Sequence, residues 1–210
     1  MKITFSEFRT CVGKACVYLP YSFLLDQLIY SGKLEKLGHF PMSDNSTFEY
    51  NGGDLTKDLH ELRKNYYVVS SFSENLPNGW LRFNDIIADL SRQCTDNISF
   101  YVPYYDLNLS SYFTDLSELK IKKNITLYPP EKEYRRAEPE KALKKLKEIG
   151  FKYRFSPPGI HAKIYLFDDQ AALIGSFNFT ENAAYINKEL GVLFFGEQIK
   201  TLRRFMETKA

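Results

Sequence analysis

A chain of 210 residues with 44% hydrophobic and 16% aromatic content is long enough to bury a substantial core and too apolar for a disordered polypeptide. The net charge of +2 names no partner by itself; residues 1–105 carry 10 Lys/Arg against 12 Asp/Glu and residues 106–210 carry 18 against 14, so only the second half is mildly basic. Three cysteines (Cys11, Cys16, Cys94) with no C-x-x-C pair exclude a common zinc knuckle, and the uncharged run Ala15–Leu25, 11 residues with Pro20 inside, is too short to cross a bilayer, which favours the cytoplasm.

In chain order, Phe23–Lys36 reads as an amphipathic helix ending near Gly38, and the polar stretch Ser43–Gly53 as a loop. Thr56–Lys64 reads as a helix and Tyr66–Phe72, rich in Tyr and Val, as a strand buried on both faces. A helix is expected from about Leu81 to Gln93, with Ile86, Ile87 and Leu90 on one stripe, followed by a turn at Thr95–Asn97. Strands are expected at Ile98–Tyr105 and Ile125–Tyr128, then a helix at Pro139–Ile149 stopped by Gly150. Short apolar strands follow at Phe151–Phe155, Ala162–Phe167, Ala171–Ile174 and Leu190–Phe195, and a last helix at Glu197–Glu207. The alternation predicts an α/β fold with a mixed, largely parallel β-sheet sandwiched by helices. No linker rich in Pro, Gly or Ser divides the chain, so residues 1–210 are expected to form a single domain, with residues 1–65 an N-terminal extension or specificity element of it.

The chemistry concentrates in residues 161–189. His161 and Lys163, two apart at the start of a strand, point to one face, where an imidazole beside an ammonium suits an anionic substrate. The next strand ends at Gly175–Ser176, with Asn178 two residues on; glycine permits close backbone approach, while Ser and Asn offer hydrogen bonds to phosphate oxygens. Glu189 opens the following strand, placed to accept from Nδ1 of His161 and leave Nε2 to attack. Taken singly, each residue has a plainer reading: a solvated histidine, a surface lysine, a turn. A basic stretch that includes Lys122, Lys123, Arg135 and Arg136, with Tyr128 and Tyr134, reads either as a nucleic-acid track or as a solvated loop, since Glu131, Glu133 and Glu138 interleave. The tyrosines of Tyr101–Tyr105 read as core and interface before base-stacking.

Together, H-x-K-x4-D at His161, Lys163 and Asp168, G-S-x-N-x-T at Gly175 to Thr180, and N-x-E at Asn187 and Glu189 resemble the phospholipase D superfamily, in its single-motif nuclease branch. Phe177, where that family often has a small residue, is a departure. The resemblance implies a metal-independent phosphodiesterase or endonuclease: His161 forms a phosphohistidine, Lys163, Ser176 and Asn178 hold phosphate oxygens, and Asp168 and Gly175 support. No metal and no cofactor are implied. Neither His39 nor His60 has a lysine two residues on, so a two-histidine mechanism implies a homodimer. The implied partner is nucleic acid, DNA before RNA, with no membrane, and a helicase or defence-system partner is compatible. The rival readings are a phospholipase or phosphatidyl transferase, and a catalytically dead nucleic-acid-binding subunit.

Overall fold

Thr4 ends one element and begins the next. Its hydroxyl accepts from the Glu7 amide at 3.1 Å, while its own amide donates to Glu7 Oε2 at 2.7 Å, so strand β1 (Lys2–Thr4) hands directly over to helix α1 (Phe5–Ala15). Cys16, in the left-handed region, stops that helix. Helix α2 (Tyr21–Tyr30) is followed by a turn through Gly32, whose φ of 72° suits glycine, and then by β2 (Leu34–Leu37). Strand β3 (Thr47–Tyr50) lies between β1 and β2, antiparallel to both. Helix α3 (Leu55–Glu61) is capped by Asp54, and its Asp58 accepts from Lys33 Nζ at 2.7 Å and from the Tyr50 hydroxyl. Two expectations are corrected here. The helix predicted over Phe23–Lys36 ends at Tyr30, because the turn at Ser31–Gly32 redirects the chain and residues 34–37 pair with β3. The predicted loop Ser43–Gly53 contains β3, whose alternation buries Phe48 and Tyr50.

The computed structural model describes residues 1–37, 43–71, 76–108, 113–127, 138–157 and 161–209. The chain divides into two compact units, Met1–Lys64 and Asn65–Ala210. The second unit opens with β4 (Tyr66–Ser70) and β5 (Leu81–Arg82). Helix α4 (residues 83–93) is α-helical at both ends with a π-helical segment, Ile86–Leu90, between them. Then come β6 (Asn97–Tyr101), a 3-10 turn (Thr114–Glu118), β7 (Lys122–Leu127), α5 (Glu138–Glu148) and β8 (Phe151–Phe155). Strands β9 (Ile164–Phe167), β10 (Ala171–Gly175) and β11 (Leu190–Phe195) follow, with a π-helical turn (Asn182–Ile186) before the last, and α6 (Gln198–Lys209) closes the chain.

The eight strands form one mixed sheet in the order β5-β4-β11-β10-β9-β6-β7-β8. Pairs β4–β5, β6–β7 and β7–β8 are parallel, while the four pairings from β4 through β11, β10 and β9 to β6 are antiparallel. Six strands therefore point one way, and only β9 and β11 are reversed. Strict alternation divides the side chains between two cores. On one face Phe100 and Tyr165 lie 4.9 Å apart between ring centroids, and Phe83 of α4 stacks on Phe177 at 4.4 Å. Lys147 of α5 stands over Tyr153 on this same side. On the other face Tyr101, Ile164, Leu166 and Ala172 are covered by Ile199 and Met206 of α6. Each fully buried phenylalanine contributes about 2–3 kcal/mol of transfer free energy, and rings at zero exposure lie in β6, β9 and the segment after β10. The loop after β10 is thus anchored as firmly as a strand. No helix among the described residues is long and apolar enough to cross a membrane.

Candidate active site

Strand register brings the sequence-predicted residues to one end of the sheet. Ile164 pairs with Ile174 and with Tyr101, Gly175 with Gly191, and Leu190 with Ser70. The start of β9, the end of β10, the start of β11 and the end of β4 therefore share an edge, which gathers His161, Lys163, Gly175, Ser176, Asn178 and Glu189 from segments far apart in sequence. Alternation puts Lys163, Gly175, Gly191 and Glu189 on the face of Tyr165 and Phe100, the aromatic side.

His161 is exposed and Lys163 half-buried, and Lys163 Nζ lies 3.3 Å from His161 Nδ1. The place expected for Glu189 at Nδ1 is thus occupied by the lysine, as the two-residue spacing on one face dictates. Glu189 Oε1 instead accepts from Asn187 Nδ2 at 3.2 Å. Burial holds the Lys163 ammonium below the ordinary lysine range, and the Glu189 carboxylate opposes that shift. A less stabilised ammonium in front of an imidazole is primed to gain an anion as its counter-charge.

Ser176 Oγ accepts from the Leu190 amide at 3.2 Å, and the Ser176 amide donates to the Leu190 carbonyl at 3.0 Å, so β10 and β11 remain joined past their last ladder pair. Asn178 Oδ1 is buried and has no hydrogen-bond partner among the described residues. Leaving an acceptor so costs about 1–3 kcal/mol, and such atoms collect where a ligand or water completes the network. Gly175 cannot be replaced cheaply: a Cβ there would sit 2.5 Å from the Leu190 carbonyl and 2.7 Å from Gly191 Cα. Phe177 lies across this glycine pair, since a Cβ on Gly191 would meet its ring at 2.7 Å. The departure at Phe177 is therefore a buried wedge between Phe83 and the glycines.

Two participants were not singled out from sequence, and a third, Tyr104, expected in core or interface, is exposed at the site. Ser71, just past β4, donates its hydroxyl to the Asn187 carbonyl at 2.6 Å and accepts from the Glu189 amide at 2.9 Å, which fixes where Glu189 begins. Gly191 is the partner of Gly175 across the ladder. Tyr104, beyond β6, presents its ring edge-on to His161 at 6.1 Å. Only the strand pairing relates Ser71 and Tyr104 to the motif, and pairing is not written in spacing.

Asp168 lies at the opposite end of β9. Its carboxylate accepts from the amides of Thr95, Asp96 and Asn97 at 2.9, 3.0 and 2.8 Å, at the turn that starts β6. Lys122 is at that far end too, opposite Asn97 and ion-paired with Asp96 at 3.4 Å. Lys123 corrects the expected basic track: it is 5% exposed, donates to the Leu119 carbonyl at 2.5 Å, and burial pushes its ammonium below the lysine range. It presents no charge to an external polyanion. Arg135 and Arg136, with Tyr128 and Tyr134, lie outside the described residues. Among the described residues no group of three or more His, Cys, Asp or Glu side chains gathers as a metal site would require.

The family described as "Cardiolipin synthase, PLD-like domain" matches residues 87–208, more than half of the chain. A protein of Streptococcus mutans serotype c, itself uncharacterised, is 25% identical over 147 residues, which are 67% of this chain and 31% of that one. The chain thus spans about a third of that relative's length. Among solved structures, the phospholipase D family member Nuc from Salmonella typhimurium superposes with a TM-score of 0.54 at 15% identity, over 69% of this chain and 92% of that one. Polyphosphate kinase from Porphyromonas gingivalis gives 0.54 at 14% identity, over 72% and 27%. At these identities the likeness is one of fold, and it extends over most of the second unit.

Proposed function

The chain belongs to the phospholipase D superfamily through its PLD-like domain, and from that premise we propose that it cleaves phosphodiester bonds of nucleic acid, DNA before RNA, through a phosphohistidine on His161. The observation that carries this reading is the convergence of His161 and Lys163 with Ser176, Asn178 and Glu189 on one exposed sheet edge. His161 Nε2 attacks phosphorus in line, the P–O bond to the leaving group breaks, and a second histidine gives that oxygen its proton. Water then attacks the phosphohistidine, its proton passing to the same second histidine, while the P–N bond breaks and frees His161. Lys163 and the Asn178 amide carry the negative charge that builds on the non-bridging oxygens, with Ser176 beside them. The unit supplies one His161, so the second comes from a second copy of the chain in a twofold homodimer. Met1–Lys64 is then an N-terminal extension to the catalytic unit.

The test is cleavage of plasmid, single-stranded DNA and RNA in excess EDTA. Cleavage that resists the chelator supports the reading and ranks the polymers, whereas absence of cleavage from well-folded protein rejects it. A lipid phosphodiester is the second reading, favoured by the exposed apolar side chains Tyr185, Ile186 and Leu190 around the π-helical turn and the start of β11. Release of headgroup from anionic phospholipid vesicles in the same assay series decides for it.

The lowered proton affinity of Lys163 has a direct kinetic consequence. The ammonium is the useful form and is lost as pH rises, so the alkaline limb of kcat/KM is expected below pH 10.5, the value for an unperturbed lysine. Lys163→Arg keeps its charge throughout and should move that limb upward on a lower plateau. An unchanged limb would mean that another group sets it.

A further inference from the structure

Two exposed aromatic rings stand at the catalytic end of the sheet, one of them against His161. Tyr104 is 53% exposed with its ring against His161, and its backbone is clamped: its carbonyl accepts from the Phe179 amide at 3.0 Å, while the Asp106 amide donates to the Phe179 carbonyl at 3.1 Å. Tyr105 forms the bridge with Phe179 between those bonds. Its hydroxyl is buried with no hydrogen-bond partner among the described residues, and burial, aided by nearby Tyr153, pushes it up to about 12. Tyr153 packs edge-on to Phe155 at 5.7 Å, and Lys147 stands 5.2 Å over its ring. Phe155 ends β8, the edge strand, and is 41% exposed.

Val102 donates to the Thr126 carbonyl and Ser156 to the Leu127 carbonyl, so the ends of β6, β7 and β8 stay level. Phe155 pairs with Leu127 on β7, which lies between β8 and β6, and Tyr104 follows the end of β6. Two solvent-facing rings at the end of the sheet that holds His161, with Lys147 over the Tyr153 ring beside Phe155, leave apolar surface in water that burial elsewhere would stabilise. Bases freed from a duplex present π-faces of the right size, while paired bases are already stacked.

We infer that Tyr104 and Phe155 form a stacking platform for unpaired bases, so that the site takes a single nucleic-acid strand and holds the nucleotides beside the scissile phosphate. This rests on the phosphodiesterase reading above and adds the strand preference to it. The rings face bases and the lysine neutralises backbone charge, which makes binding tolerant of sequence.

Fluorescence anisotropy tests this in a His161→Asn background that stops turnover, with a labelled single-stranded oligonucleotide, its duplex, and an abasic strand of equal length as probes. Tyr104→Ala and Phe155→Ala should each weaken single-strand binding by about 5- to 100-fold, with tryptophan at either position restoring it and binding of the abasic strand unchanged. Both side chains are solvent-exposed, and a thermal melt confirms that the variants fold. Single-strand binding untouched by either alanine, or equal losses on the abasic strand, overturns the platform while the phosphodiesterase reading stands. Failure of the parent protein to bind any of the three probes overturns both.

Discussion

Wild-type and His161→Ala chains co-expressed in equal amounts should show about one quarter of the wild-type specific activity, because only wild-type pairs hold two histidines. Independent subunits would give one half, and the gap is easily measured. The pure His161→Ala protein should lose turnover by about 10⁴-fold or more, since the substitution removes the nucleophile and, in the partner copy, the general acid. The loss should appear without a change in melting temperature, because His161 is exposed and outside any strand. Near-normal turnover would remove the phosphohistidine from the account. A value of one half in the mixture would keep the nucleophile and dismiss the shared site.

The second large effect is expected in stability, not in chemistry. Asp168→Ala deletes a buried carboxylate that three backbone amides donate to, and it does so at a residue with φ of 48°. Hydrogen bonds to a charged acceptor contribute about 1.5–3 kcal/mol each, although shared ones do not add. A loss of about 3–5 kcal/mol in urea unfolding is the reasonable expectation. The remaining folded protein, assayed cold, should turn over close to normally, because seven residues of nearly extended chain put Asp168 about 20 Å from His161. Lost turnover with unchanged stability would instead make the aspartate a participant in the chemistry.

Much of this arrangement could be read from sequence. Leu190–Phe195 has the bounds expected of it, and the helix expected at Pro139–Ile149 is displaced by one residue at each end, because periodicity and a terminal glycine are local signals. The mixed sheet followed from short spacings between the late strands. What could not be read was pairing. Thr47–Tyr50 looked like loop because its flanks are polar, and its two buried aromatics acquire meaning only against β1 and β2. Lys123 looked like surface charge, yet strand alternation turns it inward beneath Gly150. Within the motif, spacing showed which side chains share a face, but not that its aspartate points to the other end of the hairpin. The grip of Arg203 there, on Asp169 at 2.7 Å, on Ser99 at 2.9 Å and on the Asp168 carbonyl, was equally invisible.

The strand order also dictates a schedule. Strand β11 separates β4 from β10, and residues 190–195 are the last strand to be made. At about 5–20 residues per second, β4 leaves the ribosome many seconds before the neighbour that joins it to the rest of the sheet. During that interval Tyr67 and Val69, fully enclosed in the finished sheet, remain in water on a strand with an open edge. The sheet therefore closes only once residues 190–195 have been made, and a nascent chain stalled before Leu190 is the form on which a chaperone would act.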